Sequence, residues 1–305
     1  MNKKIVIIAL AFLVLVRFNA FANPGDSGAA FLRIGEGAKP SSLAGAYAGV
    51  GGEIISLFSN PAGLSSVSGY EFSFSHAMWI DDISYYNFAA GAPLLKGYAA
   101  AGFTAVSAGE IDKYNRLGDE MGDSYNPTDM AFSLAYSRLI REVSAGVAVK
   151  FITSDIADET ANAFALDLGA MKRFGLLNTG FSVQNIGTEM KYREDSDPLP
   201  LMARVGVSYP FYNIAGLDFL VLSEINISKD IPFKFNAGVN ADYPINESML
   251  SLRLGFKSYA EGLDTLSHFT GGLGIKHGQI AFNYALVSFQ DLGLTHRVSL
   301  DYSIR

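Results

Sequence analysis

The stretch PFKFNAGVNADYPINESMLSLRLGFK, residues 232–257, decides the fold. Phe233, Phe235, Ala237, Val239, Ala241 and Tyr243 alternate with Lys234, Asn236, Gly238, Asn240 and Asp242. The alternation resumes with Leu250, Leu252, Leu254 and Phe256 against Ser251, Arg253, Gly255 and Lys257. A period of two sends successive side chains to opposite faces of a strand, so one face suits lipid and the other water. The expected strands end at Tyr243 and resume at Glu247, and the three residues between them, 244–246, suit a tight hairpin turn.

The same pattern recurs outward from this hairpin. Val143, Ala145, Val147, Val149 and Phe151 share a face, as do Met130, Phe132, Leu134 and Tyr136 with Ala131, Ser133, Ala135 and Ser137 opposite. Val298, Leu300, Tyr302 and Ile304 alternate with Arg297, Ser299, Asp301 and Ser303. The small inward residues predict open lumen space. Strands are expected over 70–79, 83–93, 97–107, 129–139, 142–152, 161–173, 177–187, 201–210, 216–227, 232–243, 247–258, 268–277, 279–289 and 295–304. The third, ninth and thirteenth are weakly patterned, which makes about 12 strands the alternative count.

Connections alternate in length. Residues 94–96, 139–141, 174–176, 211–215, 244–246 and 278 are short, whereas 108–128, 153–160, 188–200, 259–267 and 290–294 are longer and more charged. An up-and-down barrel with two unlike rims sorts its loops in this way, and a soluble β-sandwich has no reason to. The expected fold is all-β: a 14-stranded antiparallel transmembrane β-barrel with a short N-terminal plug segment inside the lumen. Short turns face the periplasm in outer-membrane barrels. An even strand number then puts both termini there and the chain in the bacterial outer membrane. Trp79, Tyr85, Tyr86, Tyr209, Phe211, Tyr212, Tyr243 and Tyr259 lie near strand ends, where interfacial girdles are expected.

At the N-terminus, Lys3 and Lys4 precede an apolar run from Ile5 to Val16, followed by Ala20-Phe21-Ala22. This is the layout of a signal peptide cleaved after residue 22. Without Lys3, Lys4 and Arg17, the mature chain carries 20 basic and 30 acidic groups, an acidic balance that makes nucleic acid a poor partner. No later run approaches the ~18 apolar residues of a membrane helix. The chain has no cysteine, which excludes disulfides, thiolate metal sites and lipid attachment through sulfur.

Residues 23–67 do not read as strand, so the expected division is 1–22 signal peptide, 23–67 plug or hatch, and 68–305 barrel. The plug holds Phe31-Leu32, GEGAKP (35–40, with Gly35, Gly37 and Pro40), LAGAY (43–47, with Gly45) and NPAGL (60–64, with Asn60, Pro61, Ala62 and Gly63). This ordered set resembles the N-terminal signature of the PorV/PorQ outer-membrane proteins, relatives of the FadL fatty-acid channel. The resemblance implies an accessory subunit in secretion or surface attachment, with secretion-machinery subunits and exported proteins as partners beside outer-membrane lipid. Its FadL side implies a passive channel for hydrophobic small molecules, with Phe31, Leu32, Ile34, Leu57 and Phe58 as ligand contacts. A purely structural outer-membrane protein is the third reading.

Other chemistry is sparse. His76, His268, His277 and His296 are scattered, so no metal site is expected. Residues 109–129 hold Glu110, Asp112, Asp119, Glu120, Asp123, Asn126 and Asp129 without the spacing of a calcium loop, and read as a solvated acidic segment. The glycines near Gly35 and Gly49 lack the strand and the Lys-Ser/Thr of a nucleotide loop. Lys150, Asp167, Arg204, Lys234, Asp242, Arg253 and Lys257 fall on the inward face as lumen charges. No nucleophile, base and orienting group assemble from local spacing, so neither an enzyme nor a cofactor is expected.

Overall fold

The structure is a computed structural model and describes residues 27–35, 37–79, 83–115, 117–157, 159–192, 195–228, 233–258, 265–289 and 293–304. The expected signal peptide and Tyr259 lie outside the described residues. The strands are β1 (Tyr70–Met78), β2 (Ser84–Leu94), β3 (Gly97–Ser107), β4 (Ile111–Tyr114), β5 (Glu120–Tyr125), β6 (Thr128–Ile140), β7 (Val143–Ile156), β8 (Glu159–Phe174) and β9 (Leu177–Gly187). They continue as β10 (Met190–Tyr192), β11 (Asp195–Asp197), β12 (Met202–Ile214), β13 (Leu217–Ser228), β14 (Lys234–Ile245), β15 (Ser248–Lys257), β16 (Phe269–His277), β17 (Ile280–Ser288) and β18 (Leu294–Ile304).

Fourteen of these close into an antiparallel barrel, each beside its neighbour in sequence, with β18 returning to β1 from Tyr70↔Ile304 to Met78↔His296. The pairs β4–β5 and β10–β11 are separate hairpins within the long connections. Closure removes every sheet edge, so each barrel strand finds a hydrogen-bonding neighbour on both sides. Leu252 and Leu254 are 55% and 62% exposed on the outside, while Arg253 between them is 3% exposed inside. The inferred faces are the observed ones.

At one rim all six connections are two residues long, at 95–96, 141–142, 175–176, 215–216, 246–247 and 278–279. Each contains a residue at positive φ: Leu95, Arg141, Gly175, Ala215, Asn246 or Gly278. Such turns match the right-handed strand twist and hold tight hairpins. The opposite rim carries the longer loops. One expected loop, 153–160, is instead strand: β7 runs to Ile156 and β8 starts at Glu159, with Thr160 Oγ1 donating to Asp155 Oδ1 at 2.6 Å across the pair. Two girdle assignments are corrected. Tyr85 is buried in the lumen with its hydroxyl donating to Ile34 O at 3.2 Å, and Trp79 packs under the Arg297 guanidinium.

The lumen is filled by residues before β1, which form 3-10 turns at Ala30–Arg33, Ile54–Phe58 and Pro61–Ser66 and one helical turn at Ala38–Ser42. Leu43, Tyr47, Leu57, Phe58 and Leu64 pack on Ala89, Tyr98, Ala100, Ala135, Ala148 and Leu222 of the wall. The small inward residues therefore leave no open bore, because the plug occupies their space. A Cβ added at Gly146 would lie 2.3 Å from Pro61 C, and one at Gly180 would lie 1.9 Å from Ala48 O. Only glycine lets the plug backbone come this close to the wall.

Candidate functional site

The NPAGL motif is a folding device. Asn60 is fully buried; its Oδ1 accepts from Ala62 N at 3.1 Å, capping the Pro61–Ser66 turn, and its Nδ2 donates to Ala48 O at 2.8 Å and Ala170 O at 3.4 Å. Pro61 fills the first turn position, where no N–H is needed. Ala62 is fully buried against Gly146 and Gly169, and a Cβ at Gly63 would lie 2.7 Å from Ser56 Oγ. Upstream, Gly37 precedes the Ala38–Ser42 turn and Pro40 O accepts from the N–H groups of Leu43 and Gly45 at 3.1 and 2.9 Å.

Wall side chains bond the plug backbone along its length. Glu224 accepts from Ala48 N at 2.6 Å, Glu71 from Ile54 N at 2.8 Å and Thr270 from Ala44 N at 3.1 Å. Ser137, Ser182, Gln184 and Ser208 donate to the carbonyls of Ala62, Ser59, Phe58 and Gly49 at 2.7 to 3.1 Å. Arg297 donates to Gly35 O and, at 2.7 Å, to Ser41 Oγ. Within the plug, Lys39 and Glu53 are ion-paired, and Tyr47 OH donates to Glu53 Oε2 at 2.6 Å. Burial opposes ionisation of Glu53, but Lys39 and the two hydrogen bonds prevail and hold its pKa below the ordinary carboxylate value.

The residues expected to touch a ligand separate into two groups. Leu57 and Phe58 belong to the plug core, and Phe31 and Leu32 pack with Ile152, Met190 and Leu199 beneath the β10–β11 hairpin. Ile34 lines a cavity on the long-loop side of the plug. The lumen charges are also divided. Lys150 pairs with Asp167 at 2.7 Å and donates to Asn185 Oδ1 at 2.9 Å, beside a register shift between β8 and β9. Asp242 accepts from Ser251, and Arg253 donates to Asn240 Oδ1 at 2.8 Å.

Among the described residues, two cavities flank the plug. One of about 190 Å³, toward the short-turn rim, mixes Lys39, Arg253 and Lys276 with Glu53, Glu71, Asp242 and Asp301. The other, about 350 Å³ toward the long-loop rim, has Arg33, Arg204, Lys234, Lys257 and Arg297 among its lining residues, with no carboxylate among the described ones. Its apolar lining includes Ile34, Trp79, Met202, Val287 and Phe289. Lys257 Nζ stands 5.0 Å over the Phe289 ring and Arg297 Cζ 4.9 Å over that of Trp79, so both cations rest on aromatic faces. Arg204 Nη1 lies 3.5 Å from Glu224 Oε1.

Sequence reasoning found Arg204, Lys234 and Lys257 as lumen charges but missed Arg33, Trp79, Phe289 and Arg297 as their neighbours. The inward parity of Arg297 was available; its convergence with Arg33 needed the plug in place. Of the four histidines, His76 stacks on Tyr86, His268 bonds to Lys257 O, His277 to Ser248 and His296 to Tyr284. The acidic segment becomes the β4–β5 hairpin, in which Lys113 pairs with Asp123 at 3.1 Å.

No family model and no curated protein matches the chain. Solved structures do share its fold. The Pseudomonas putida toluene transporter TodX aligns with a TM-score of 0.57 over 88% of this chain and 96% of its own, at 10% sequence identity. The Ralstonia pickettii toluene transporter TbuX gives 0.59 over 89% and 99%, at 12% identity. The monoaromatic hydrocarbon channel CymD gives 0.55 over 89% and 98%, at 9% identity. These three proteins are described as transporters or channels, and this chain shares their fold.

Proposed function

We propose that the chain is an outer-membrane channel of the FadL type that admits a small molecule with an apolar body. It sits with the short turns and both termini in the periplasm after loss of residues 1–22, its apolar outer face in lipid, and residues 23–67 as the plug of the 68–305 barrel. The plug carries this reading. An open bore would pass water and ions without choice, whereas a lumen sealed by a bonded segment with a cavity on its long-loop side selects what enters. The neighbours' described cargoes, toluene and monoaromatic hydrocarbons, support the small-molecule class. Proteoliposomes carrying the protein should take up radiolabelled small aromatic solutes faster than protein-free vesicles while showing no steady ionic conductance. Equal uptake in both, or a large open conductance, refutes the channel reading.

A second reading, an accessory subunit for secretion or surface attachment, is favoured by the β4–β5 hairpin, where Tyr114, Leu117 and Met121 are exposed beyond the barrel. Exposed apolar residues at a loop tip suit a protein partner. A mild-detergent pull-down, compared between the full chain and one lacking residues 111–125, tests it. Secretion components or exported proteins lost with the hairpin would support it.

A further inference from the structure

We propose that the outer wall carries a seat for one anionic glycerophospholipid, its acyl chain in a groove over β2 and β3 and its phosphate at the short-turn rim. The seat goes beyond the channel reading and shares with it only the placement of the barrel in a membrane.

The groove, about 650 Å³, follows from the register of five neighbouring strands. Its floor is Ala90 and Ala92 on β2, paired with Ala101 and Ala99 on β3. Tyr70 and Phe72 of β1 wall one side, and Leu134 and Tyr136 of β6 the other. One step deeper the outward row is continuous phenylalanine: Phe74, Phe88, Phe103, Phe132 and Phe151 are successive partners across β1, β2, β3, β6 and β7. Rings standing beside methyl groups leave a concave strip that a lipid chain can fill with close contacts. The floor is shut from behind. Gly91, between the two alanines of β2, is backed by the Tyr98 ring and by Ile54 of the plug, which a Cβ there would meet at 2.5 and 2.7 Å. The groove is therefore a surface seat, with no opening into the lumen among the described residues.

Its length fits one leaflet. Gly97 opens β3 at the rim and Phe103 lies six residues on, about 20 Å of strand. A strand tilt of about 40° reduces this to about 15 Å of depth, which is half of a ~30 Å hydrocarbon core. An acyl chain whose head lies at the turns would end at the phenylalanine row.

Charge at the rim end selects the occupant. Lys96 lies in the 95–96 turn and Arg138 follows Ser137, the partner of Tyr98, so both stand at the mouth of the groove, with Arg141 in the next turn. All three are exposed and form no ion pair among the described residues. Across 88–103 and 132–151 the one acid is Glu142, which is paired with Lys172 at 2.8 Å. A phosphate diester engages arginine through two parallel hydrogen bonds and lysine as a point charge, and basic groups at a membrane surface draw anionic lipid. The Tyr136 ring leans the same way, since a Cβ at Gly97 would lie 2.7 Å from its hydroxyl, which puts a polar tip at the headgroup level. A second copy of this wall would set the same cations against each other, so the groove suits a lipid and not a dimer.

Native mass spectrometry tests this on the protein released from nanodiscs of dioleoyl phosphatidylglycerol and dioleoyl phosphatidylcholine in equal parts. One phosphatidylglycerol should be retained in preference to phosphatidylcholine. A phosphatidylglycerol with a photoreactive acyl chain should cross-link chiefly within 88–103 and 132–151. Ala101→Phe, which fills the groove, should abolish retention with heat-modifiable gel mobility unchanged. Lys96→Gln and Arg138→Gln should each lower it about fivefold, the effect of one basic group at a membrane surface. Ala237→Phe, on the outward face of β14, and Arg173→Gln, also near the short-turn rim, should leave it as it was. Equal retention in all variants, no preference between the two lipids, or cross-links spread evenly around the wall overturns the seat. A changed oligomeric state in Ala101→Phe without a change in lipid overturns it too, as does retention of added lipopolysaccharide in place of phosphatidylglycerol. Loss of the seat with solute uptake by proteoliposomes intact leaves the channel reading standing; retained lipid without uptake does the reverse.

Discussion

Gly180→Ala tests whether the plug and wall form one packed unit. A Cβ at this position would meet Ala48 O at 1.9 Å, Ala48 C at 2.7 Å and Asn60 Nδ2 at 2.9 Å. None of these can step aside freely. Ala48 is held through its N–H by Glu224 at 2.6 Å and through its carbonyl by Asn60 at 2.8 Å, while β9 is fixed by its ladder to β12. Overpacking of this kind costs about 1–3 kcal/mol. Shifting the plug to relieve it breaks one of the two buried hydrogen bonds, at about 1–3 kcal/mol more. The expected loss is roughly 2–6 kcal/mol by adding these ranges, read by urea titration in lipid vesicles and by proteolysis of residues 27–67. Gly271→Ala is the control: its Cβ would find no atom nearer than 3.9 Å, and the change should be neutral within about 0.5 kcal/mol. A Gly180→Ala protein as stable and protease-resistant as the parent would show that the plug does not lie where the structure puts it.

Asn60→Ala should cost about 2–4 kcal/mol, because the Ala62 N–H and Ala48 carbonyl are both left buried and unsatisfied. Asn60→Asp keeps the cap but loses the Nδ2 donor, so recovery of full stability in the Asp variant would contradict the assigned amide orientation. Leu252→Arg, on the outward face, should cost roughly 2–4 kcal/mol in a bilayer near midplane, and a silent substitution in a folding titration would reverse the face assignment. Glu53 has a pKa below its ordinary value of 4.5. Its contribution is therefore complete above that value and fades as pH falls through the lower folded value. Glu53→Gln should flatten the acid dependence of plug proteolysis below the ordinary carboxylate value of 4.5, and an unchanged profile would assign that dependence elsewhere.

The strands were legible because lipid on one side and a wet or packed interior on the other enforce a period of two, even in the weak third, ninth and thirteenth strands. The turn rim was legible because two-residue connections leave no room for anything else. What the sequence hid is the plug's meaning for the wall. Ala135 and Ser137 read as small inward residues, equally suited to empty space, and only the placement of the plug against them and against Gly146 and Gly180 shows that these positions are sockets. Trp79 and Tyr85 were misassigned for a related reason: an aromatic residue near a strand end suits a membrane girdle, and parity alone does not reveal a plug carbonyl such as Ile34 O waiting inside. The cationic cavity was half legible, since its charges come from residues spread between Arg33 and Arg297 that meet only on closure.

Under the proposed channel reading, the same contacts limit how a solute would cross the plug. Wall bonds to the backbone at Gly35, Ala44, Ala48, Gly49, Ile54, Phe58, Ser59 and Ala62 contribute about 1 kcal/mol each. Expelling the plug whole therefore forfeits on the order of 10 kcal/mol before any apolar packing is counted, a state too rare to serve passage. A local opening costs less. The Ala38–Ser42 turn is the thin partition, because Ser41 lines the upper cavity and Lys39 the lower, two residues apart. Arg297, through Gly35 O and Ser41 Oγ, and Thr270, which donates to Ser42 O at 3.0 Å, hold that turn to the wall. Arg297 also lines the cavity on the long-loop side, so the side chain that secures the partition borders that space. Loosening this clamp exposes one helical turn and leaves the Asn60 anchor untouched.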